Sequence, residues 1–181
     1  MKISTSELLH ELKSKTEEHL QFAEMLSLQP EHDLNFRTSA ESWSTLECLE
    51  HLNRYGDFYI PEISRAISSA GKSSQSYFKP GILGNYFAKS MLPKEKLNKM
   101  KTHKAMNPIH SNLDKNVVDL FITHQGKLLE LLEKAQYTDL EKTKSGISIS
   151  KLIKLKLGDT FRFVIYHNAR HIGQIKKILT H

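Results

Sequence analysis

The sequence predicts an all-α protein, a four-helix bundle with one long connection between the second and third helices. Four segments of the 181-residue chain carry apolar residues at spacings of three and four, which is the period of an amphipathic α-helix. No segment alternates between apolar and polar residues for long enough to indicate a sheet. The length suits one domain of ordinary size, and we expect a single domain over residues 1–181.

The first two helices each begin with a predicted capping box. In this pattern a serine and a glutamate three residues later bond to each other's backbone amides. The segments Ser4–Glu7 and Ser44–Glu47 both have it. The apolar stripe after the first box ends before Pro30, and the stripe after the second contains Pro61. Because proline lacks a backbone N–H and crowds the preceding turn, we expect Pro61 to kink or break the second helix.

The third and fourth helices follow from the second half of the chain. The third is expected to begin at Ser111 and has the most regular apolar stripe, which includes Leu120 and His124. We expect His124 to be a core histidine rather than a contact of a functional site. The fourth helix is expected from about residue 158 to residue 179. The stretch before it, GISISKLIKLKL (146–157), alternates enough to predict a short extended approach.

Residues 71–110 form the predicted long connection, because they contain several glycines and prolines and have no sustained periodicity. We expect a short helix there, around residues 83–91. Residues 72–104 contain eight lysines and one acid, whereas the formal net charge of the whole chain is +6. A solvated loop and a patch for an acidic ligand both explain this concentration. The lysines are not interleaved with aromatic residues, and no zinc-finger spacing occurs, so we do not expect nucleic-acid binding.

The composition indicates a protein of a reducing compartment, which we expect to be the cytoplasm. Cys48 is the single cysteine, so an intramolecular disulfide is excluded, and we expect its side chain to be a small core residue. The N-terminal MKISTSELLHEL reaches charged residues too early for a signal peptide. No apolar run approaches the ~20 residues of a membrane span. A chain of this length needs no structural metal for its stability, so we expect a bound metal to have a chemical role.

Two histidines near the C terminus, in YHNARHIGQI, are the first candidates for a functional site. His167 and His171 are four residues apart, so in a helix their side chains lie about 40° apart and roughly 6 Å along the axis. This spacing lets two imidazoles bind one metal ion, but it is also common on a solvated helix face. Two features favour the interpretation of His167 and His171 as metal ligands. The pair adjoins the apolar stripe, and Gly173, a poor helix former, is expected to allow another backbone to approach closely.

A third histidine, His51, is the candidate that completes the site. It lies about two turns inside the second helix, at the edge of the apolar stripe. Three neutral imidazoles leave one or more coordination positions open for a water or a thiol. The alternative is that His167 and His171 lie on a polar face while His51 forms a hydrogen bond at the edge of the bundle. Glu47, one turn before His51, could orient the site, although its capping role already explains it.

Two stretches resemble the DinB / YfiT-like superfamily of helical bundles: ESWSTLECLEHLNRYGDFY and KLGDTFRFVIYHNARHIGQI. The residues that carry the resemblance are Trp43, Ser44, Glu47, His51, Leu157, Gly158, His167, Arg170, His171, Gly173 and Gln174. The segment KMKTHKAMNP is similar to that group as well. The resemblance implies one divalent metal, variously nickel, zinc, iron or manganese, held by His51, His167 and His171. Lys156 departs from the usual threonine or serine cap, which puts in question only how the last helix starts.

The resemblance also implies an activity on a small molecule. Similar proteins include S-transferases and isomerases that use low-molecular-weight thiols, as well as hydrolases. No carboxylate stands at a convincing position for a general base, which slightly favours a thiolate nucleophile over hydrolysis. The alternative is a non-catalytic metal-binding or stress-associated helical module that acts by association. Homodimers formed through bundle faces are common among such folds.

Overall fold

Four long helices dominate the computed structural model, which describes residues 2–73, 75–92 and 102–180. The helices are α1 (Thr5–Ser27), α2 (Glu31–Leu34), α3 (Thr45–Ser68), α4 (Ile82–Met91), α5 (Asn116–Ala135) and α6 (Leu157–Ile178), with a 3₁₀ turn at Lys104–Met106. Two strand pairs complete the described elements: β1 (Ile3–Ser4) with β2 (Tyr77–Phe78), and β3 (Lys144–Ile147) with β4 (Ser150–Lys156), both antiparallel. Helices make up 63% of the structure, which confirms the all-α prediction.

The long helices α1, α3, α5 and α6 form the bundle. Helices α1 and α3 each pack against both α5 and α6, and the short helix α4 packs on α6. The apolar stripes meet in two core clusters. Along α6 the first cluster ends at Tyr166 and the second begins at Ile172, and along α3 the second cluster ends at Leu52 and the first begins at Tyr59. The two clusters are therefore stacked along the bundle axis.

A layer of buried polar side chains lies between the two clusters. Its members include Thr16 and His19 in α1, His51 and Asn53 in α3, His124 and Gln125 in α5, and His167 and Asn168 in α6. Buried polar groups need hydrogen-bond partners. The Asn168 amide donates to Oε1 of Gln125 at 3.2 Å, and the Asn53 amide donates to the Val117 carbonyl at 2.8 Å. This polar layer gives the bundle a place for side chains that a continuous apolar core would exclude.

The structure confirms the second predicted capping box in full and the Ser4 half of the first. The Ser44 hydroxyl accepts the Glu47 N–H while the Glu47 carboxylate accepts the Ser44 N–H, so the second box is complete. At the first, the Ser4 hydroxyl accepts the Glu7 N–H. Helix α3 runs through Pro61 without interruption, so the predicted break does not occur.

The third long helix begins at Asn116, and the predicted start at Ser111 is wrong. The Asp114 carboxylate accepts the Asn116 N–H at 2.9 Å, which forms an Asx turn ahead of the first helical turn. Leu120, assigned to the apolar stripe, is 38% exposed. The extended approach to the last helix is confirmed as strands β3 and β4. Ser145 pairs with Leu155 and both are buried, whereas Ile149 and Leu152 are exposed, so the alternation does not mark one buried face.

Helix α4 confirms the short helix predicted inside the long connection, and it is fixed to the start of α6. The buried Asp159 carboxylate accepts the Gly81 N–H at 2.7 Å and pairs with Arg162 at 3.0 Å. A Cβ on Gly84 would lie 2.5 Å from the Cβ of Asp159, so only glycine allows this approach. The contact places Phe87 of α4 with its ring centroid 6.5 Å from that of Phe163.

Part of the lysine-rich segment 72–104 lies outside the described residues, namely 74 and 93–101. The expected role of that segment therefore stays a prediction, as does the single domain over residues 1–181. Among the described helices, none is long and apolar enough to cross a membrane.

Candidate metal centre

Helices α3 and α6 bring together the three histidines that the sequence singled out. One nitrogen from each of His51, His167 and His171 lies within 4.8 Å of the other two. The Nε2 atoms of His51 and His167 are 3.2 Å apart. The ring centroids are 4.6 to 5.0 Å apart in all three pairs. The helical spacing of four places the α6 pair side by side, and the packing of α3 on α6 adds the third ring.

The orientation of two rings is set by hydrogen bonds at their other nitrogen. Nδ1 of His51 lies 2.6 Å from the carbonyl oxygen of Met106, and Nδ1 of His171 lies 3.0 Å from the amide oxygen of Gln174. Since these oxygens only accept, the Nδ1–H groups donate, and the lone pair of each ring is on Nε2. Metal-binding histidines usually have such a partner at the second ring nitrogen.

The separation between the Nε2 atoms of His51 and His167 fits a shared metal ion, and all three candidate nitrogens lie within 4.8 Å of one another. Two imidazole nitrogens bound at about 2.1 Å with tetrahedral or octahedral angles are about 3.0–3.4 Å apart. The separation of 3.2 Å between His51 and His167 falls in that interval. In the part of the chain that the structure describes, this group contains three histidines and no carboxylate.

Burial keeps all three imidazoles in the neutral form that a ligand needs. Desolvation lowers the pKa of His51 to about 4 and that of His171 to about 3. The pKa of His167 is held well below its usual range, first by burial and then by the two neighbouring rings. The positive charge of Arg170 acts in the same direction on His167 and His171. Protons therefore do not compete for the site at neutral pH.

Aromatic side chains form the walls of the site. Trp43 stacks on His171 with 5.8 Å between ring centroids and also lies 4.8 Å from His51. The Tyr55 ring is 4.6 Å from His167 and 5.0 Å from His51, and Phe163 stacks on His167 at 5.8 Å. These contacts exclude water from most of the ring surfaces and lower the local dielectric constant.

Glu47 contributes to the site indirectly. Burial alone would raise the pKa of its carboxyl group, but hydrogen bonds from Arg37, Ser44 and His110 outweigh this effect and hold the pKa below its ordinary value. The distances are 2.7 and 2.9 Å to Arg37 and 2.5 Å to the His110 N–H. Glu47 thus caps α3 and ties the start of this helix to the segment that follows the 3₁₀ turn.

The expectation that another backbone closely approaches Gly173 is wrong. A Cβ on Gly173 would meet nothing within 4 Å, so no neighbouring backbone requires glycine there. A neighbour does approach Gly56 in α3 closely, where a Cβ would overlap Nδ1 of His124 and lie 2.9 Å from its Cε1. His124 is buried in the core as expected, with Nε2 3.3 Å from the Asp57 carboxylate. Its Nδ1 has no hydrogen-bond partner among the described residues.

Sequence reasoning missed three contributors to the site: the Met106 carbonyl, the Trp43 ring and the Phe163 ring. A backbone carbonyl leaves no signal in residue type. Trp43 was noted as part of a motif, but its contact with two histidines depends on how the segment before α3 folds. Cys48 is fully buried, and burial raises the pKa of its thiol, so the structure supports a core role for it.

The fold and the site together define a class, that of helical bundle proteins with a three-histidine cluster between the two core clusters, in which His51 and His167 are buried and His171 is half-buried. The chain belongs to the DinB superfamily, whose family model matches residues 9–175. His51, His167 and His171 all lie within the matched residues. A comparison with curated proteins and another with solved structures gave no match.

Proposed function

We propose that the protein is a divalent-metal-dependent enzyme whose ion is held by His51, His167 and His171. One observation carries the proposal: hydrogen bonds fix the Nδ1 atoms of His51 and His171, and Nε2 of His51 lies 3.2 Å from Nε2 of His167. Membership of the DinB superfamily supports it. Imidazole ligands suit zinc, nickel and iron, and manganese also occurs in the family that the sequence resembles. When bound, the ion acts as a Lewis acid and lowers the pKa of a water or thiol at its open position.

For the reaction we favour transfer of a low-molecular-weight thiol to an electrophilic small molecule. Hydrolysis is the second candidate. The three-histidine group contains no carboxylate that could serve as general base, which favours a nucleophile that ionises readily. The walls formed by Trp43, Tyr55 and Phe163 are apolar and suit a sulfur or carbon centre better than a strongly hydrated anion.

Tyr55 is the described side chain best placed to assist. Its ring centroid lies 5.0 Å from that of His51 and 4.6 Å from that of His167. Burial raises the pKa of Tyr55, so the hydroxyl stays protonated at neutral pH and can donate to a bound substrate. We therefore assign Tyr55 the role of a hydrogen-bond donor that orients the ligand.

The first experiment is elemental analysis of protein purified without an affinity tag. We expect close to one divalent ion per chain, and we expect His51→Ala to lose it. His19→Ala is the matched control, because His19 is also a buried helical histidine but lies in α1 outside the cluster. Metal content that is unchanged in His51→Ala would show that these ligands are wrong.

The second experiment follows the loss of an electrophilic chromogenic substrate with a panel of thiols. Turnover that depends on the identity of the thiol supports transfer. Turnover without any thiol requirement supports hydrolysis. A metal-loaded protein that gives no turnover with any thiol would contradict the enzymatic proposal and favour a metal-binding module that acts by association.

A further inference from the structure

Arg54 connects helix α3 to the turn that orients His51. Its Nη1 donates to the carbonyl oxygens of Ala105 at 3.3 Å and Asn107 at 3.2 Å. Its Nε donates to the Glu50 carboxylate one turn earlier at 2.7 Å, which holds the guanidinium in place. The planar guanidinium offers several donors in a fixed geometry, so it can serve both partners at once.

Arg54 binds the carbonyl oxygens of Ala105 and Asn107, and His51 binds the carbonyl oxygen between them. Met106 lies between Ala105 and Asn107, and its carbonyl accepts the Nδ1–H of His51 at 2.6 Å. The turn has two internal hydrogen bonds, from the Met106 N–H to His103 and from the Asn107 N–H to Lys104. Helix α3 therefore contacts consecutive carbonyls through two side chains that lie three residues apart on one face.

We propose that Arg54 is a positioning residue for the three-histidine site. By holding the carbonyls on both sides of Met106, it fixes the carbonyl that selects the Nδ1–H tautomer of His51 and directs Nε2 toward His167. The effect of Arg54 on the tautomer depends only on these contacts. Its effect on metal affinity rests on the proposed function.

Electrostatics alone gives the opposite expectation. The charge of Arg54 is unfavourable for a cation bound next to His51, just as it disfavours protonation of that ring. If charge were the whole effect, removal of Arg54 would strengthen metal binding. If Arg54 positions His51, its removal weakens binding, so the sign of the change separates the two effects.

The test compares Zn²⁺ affinity in Arg54→Gln, Arg54→Lys and Arg65→Gln by competition with a chromophoric chelator. Arg65 is the matched control: it lies on the same helix and pairs with Glu62 three residues earlier, but it is 67% exposed and bonds to no carbonyl of the turn. Outer partners of metal ligands typically change affinity about 10–100-fold. Because Arg54 acts through Met106, we expect about tenfold weaker binding for Arg54→Gln and no change for Arg65→Gln.

Arg54→Lys keeps the charge and loses the forked donor geometry, so weaker binding in this variant cannot come from charge. It also carries the test if Arg54→Gln fails to fold, which circular dichroism would show. Unchanged or tighter Zn²⁺ binding in both Arg54 variants overturns the proposal.

A second readout needs no metal. The ring ¹⁵N chemical shifts of His51 in metal-free protein report its tautomer, and we expect the Nδ1–H form in the wild type and in Arg65→Gln. We expect a mixture of tautomers in Arg54→Gln. A pure Nδ1–H tautomer in that variant would overturn the positioning role, whatever the metal affinity. If the wild type binds no Zn²⁺, the proposed function fails, while the tautomer measurement still tests Arg54.

Discussion

Removal of His51 is the sharpest perturbation of the proposed site, because it deletes one of three ligands and leaves the pair on α6 intact. Zn²⁺ at about one hundred times its dissociation constant stabilises the folded protein by ~2.7 kcal/mol. For a chain of this size each kcal/mol raises Tm by about 2–4 °C, so the wild type should gain ~5–11 °C. If the loss of His51 raises the dissociation constant ~1,000-fold, the same Zn²⁺ concentration adds less than ~0.1 kcal/mol.

The assay is thermal unfolding at pH 7 with Zn²⁺ and with a chelator, for the wild type, His51→Ala and His19→Ala. Both variants should lower Tm in chelator, since each removes a buried side chain. Only His51→Ala should lose the shift caused by Zn²⁺. A full shift in His51→Ala would refute the assignment of this ligand, and a lost shift in His19→Ala would place the metal elsewhere.

Three further predictions concern stability. Because the unfolded chain takes up protons near pH 6.5 whereas the pKa of folded His51 is about 4, the free energy of unfolding of metal-free protein should fall as pH drops from 7 to 5. Measured by urea unfolding, the free energy of unfolding should fall by ~2 kcal/mol over this range from His51 alone. The free energy of unfolding of His51→Gln should depend less steeply on pH, and equal slopes for the variant and the wild type would contradict this. Gly56→Ala should destabilise by ~1–3 kcal/mol, because its Cβ overlaps His124. Gly173→Ala should stabilise by ~0.5–1 kcal/mol, since nothing lies within 4 Å; a loss of stability in urea would show a neighbour there.

The local sequence pattern was enough to predict the structural features that depend on a few consecutive residues. The serine–glutamate pair at 44 and 47 predicted the start of α3 because both partners of the cap lie within one turn. The spacing of His167 and His171 predicted their proximity for the same reason. The start of α5 was misplaced because the Asp114 side chain competes with the helix for the Asn116 N–H, and an Asx turn and a helix cap share the same residue types.

The two glycines show where local reasoning fails. Both lie inside helices, and both cost helix propensity relative to alanine. Only Gly56 faces another element closely, because His124 of α5 packs against it, whereas Gly173 faces open space. Which face of a helix meets a neighbour is decided by tertiary packing, and the composition of either segment does not record it.

The three contacts that build the site join residues at different separations in the sequence. His167 and His171 are positioned by one helix, so their spacing follows from backbone geometry. His51 reaches His167 across 116 residues and needs α3 to pack on α6. Its ring orientation needs a further contact, with Met106 at a separation of 55 residues, in a turn that has few contacts with the helices apart from α3. The α6 pair should therefore keep its geometry when the turn is disturbed, while His51 loses its orientation first, so changes in the 3₁₀ turn should alter metal affinity before they alter the stability of the bundle.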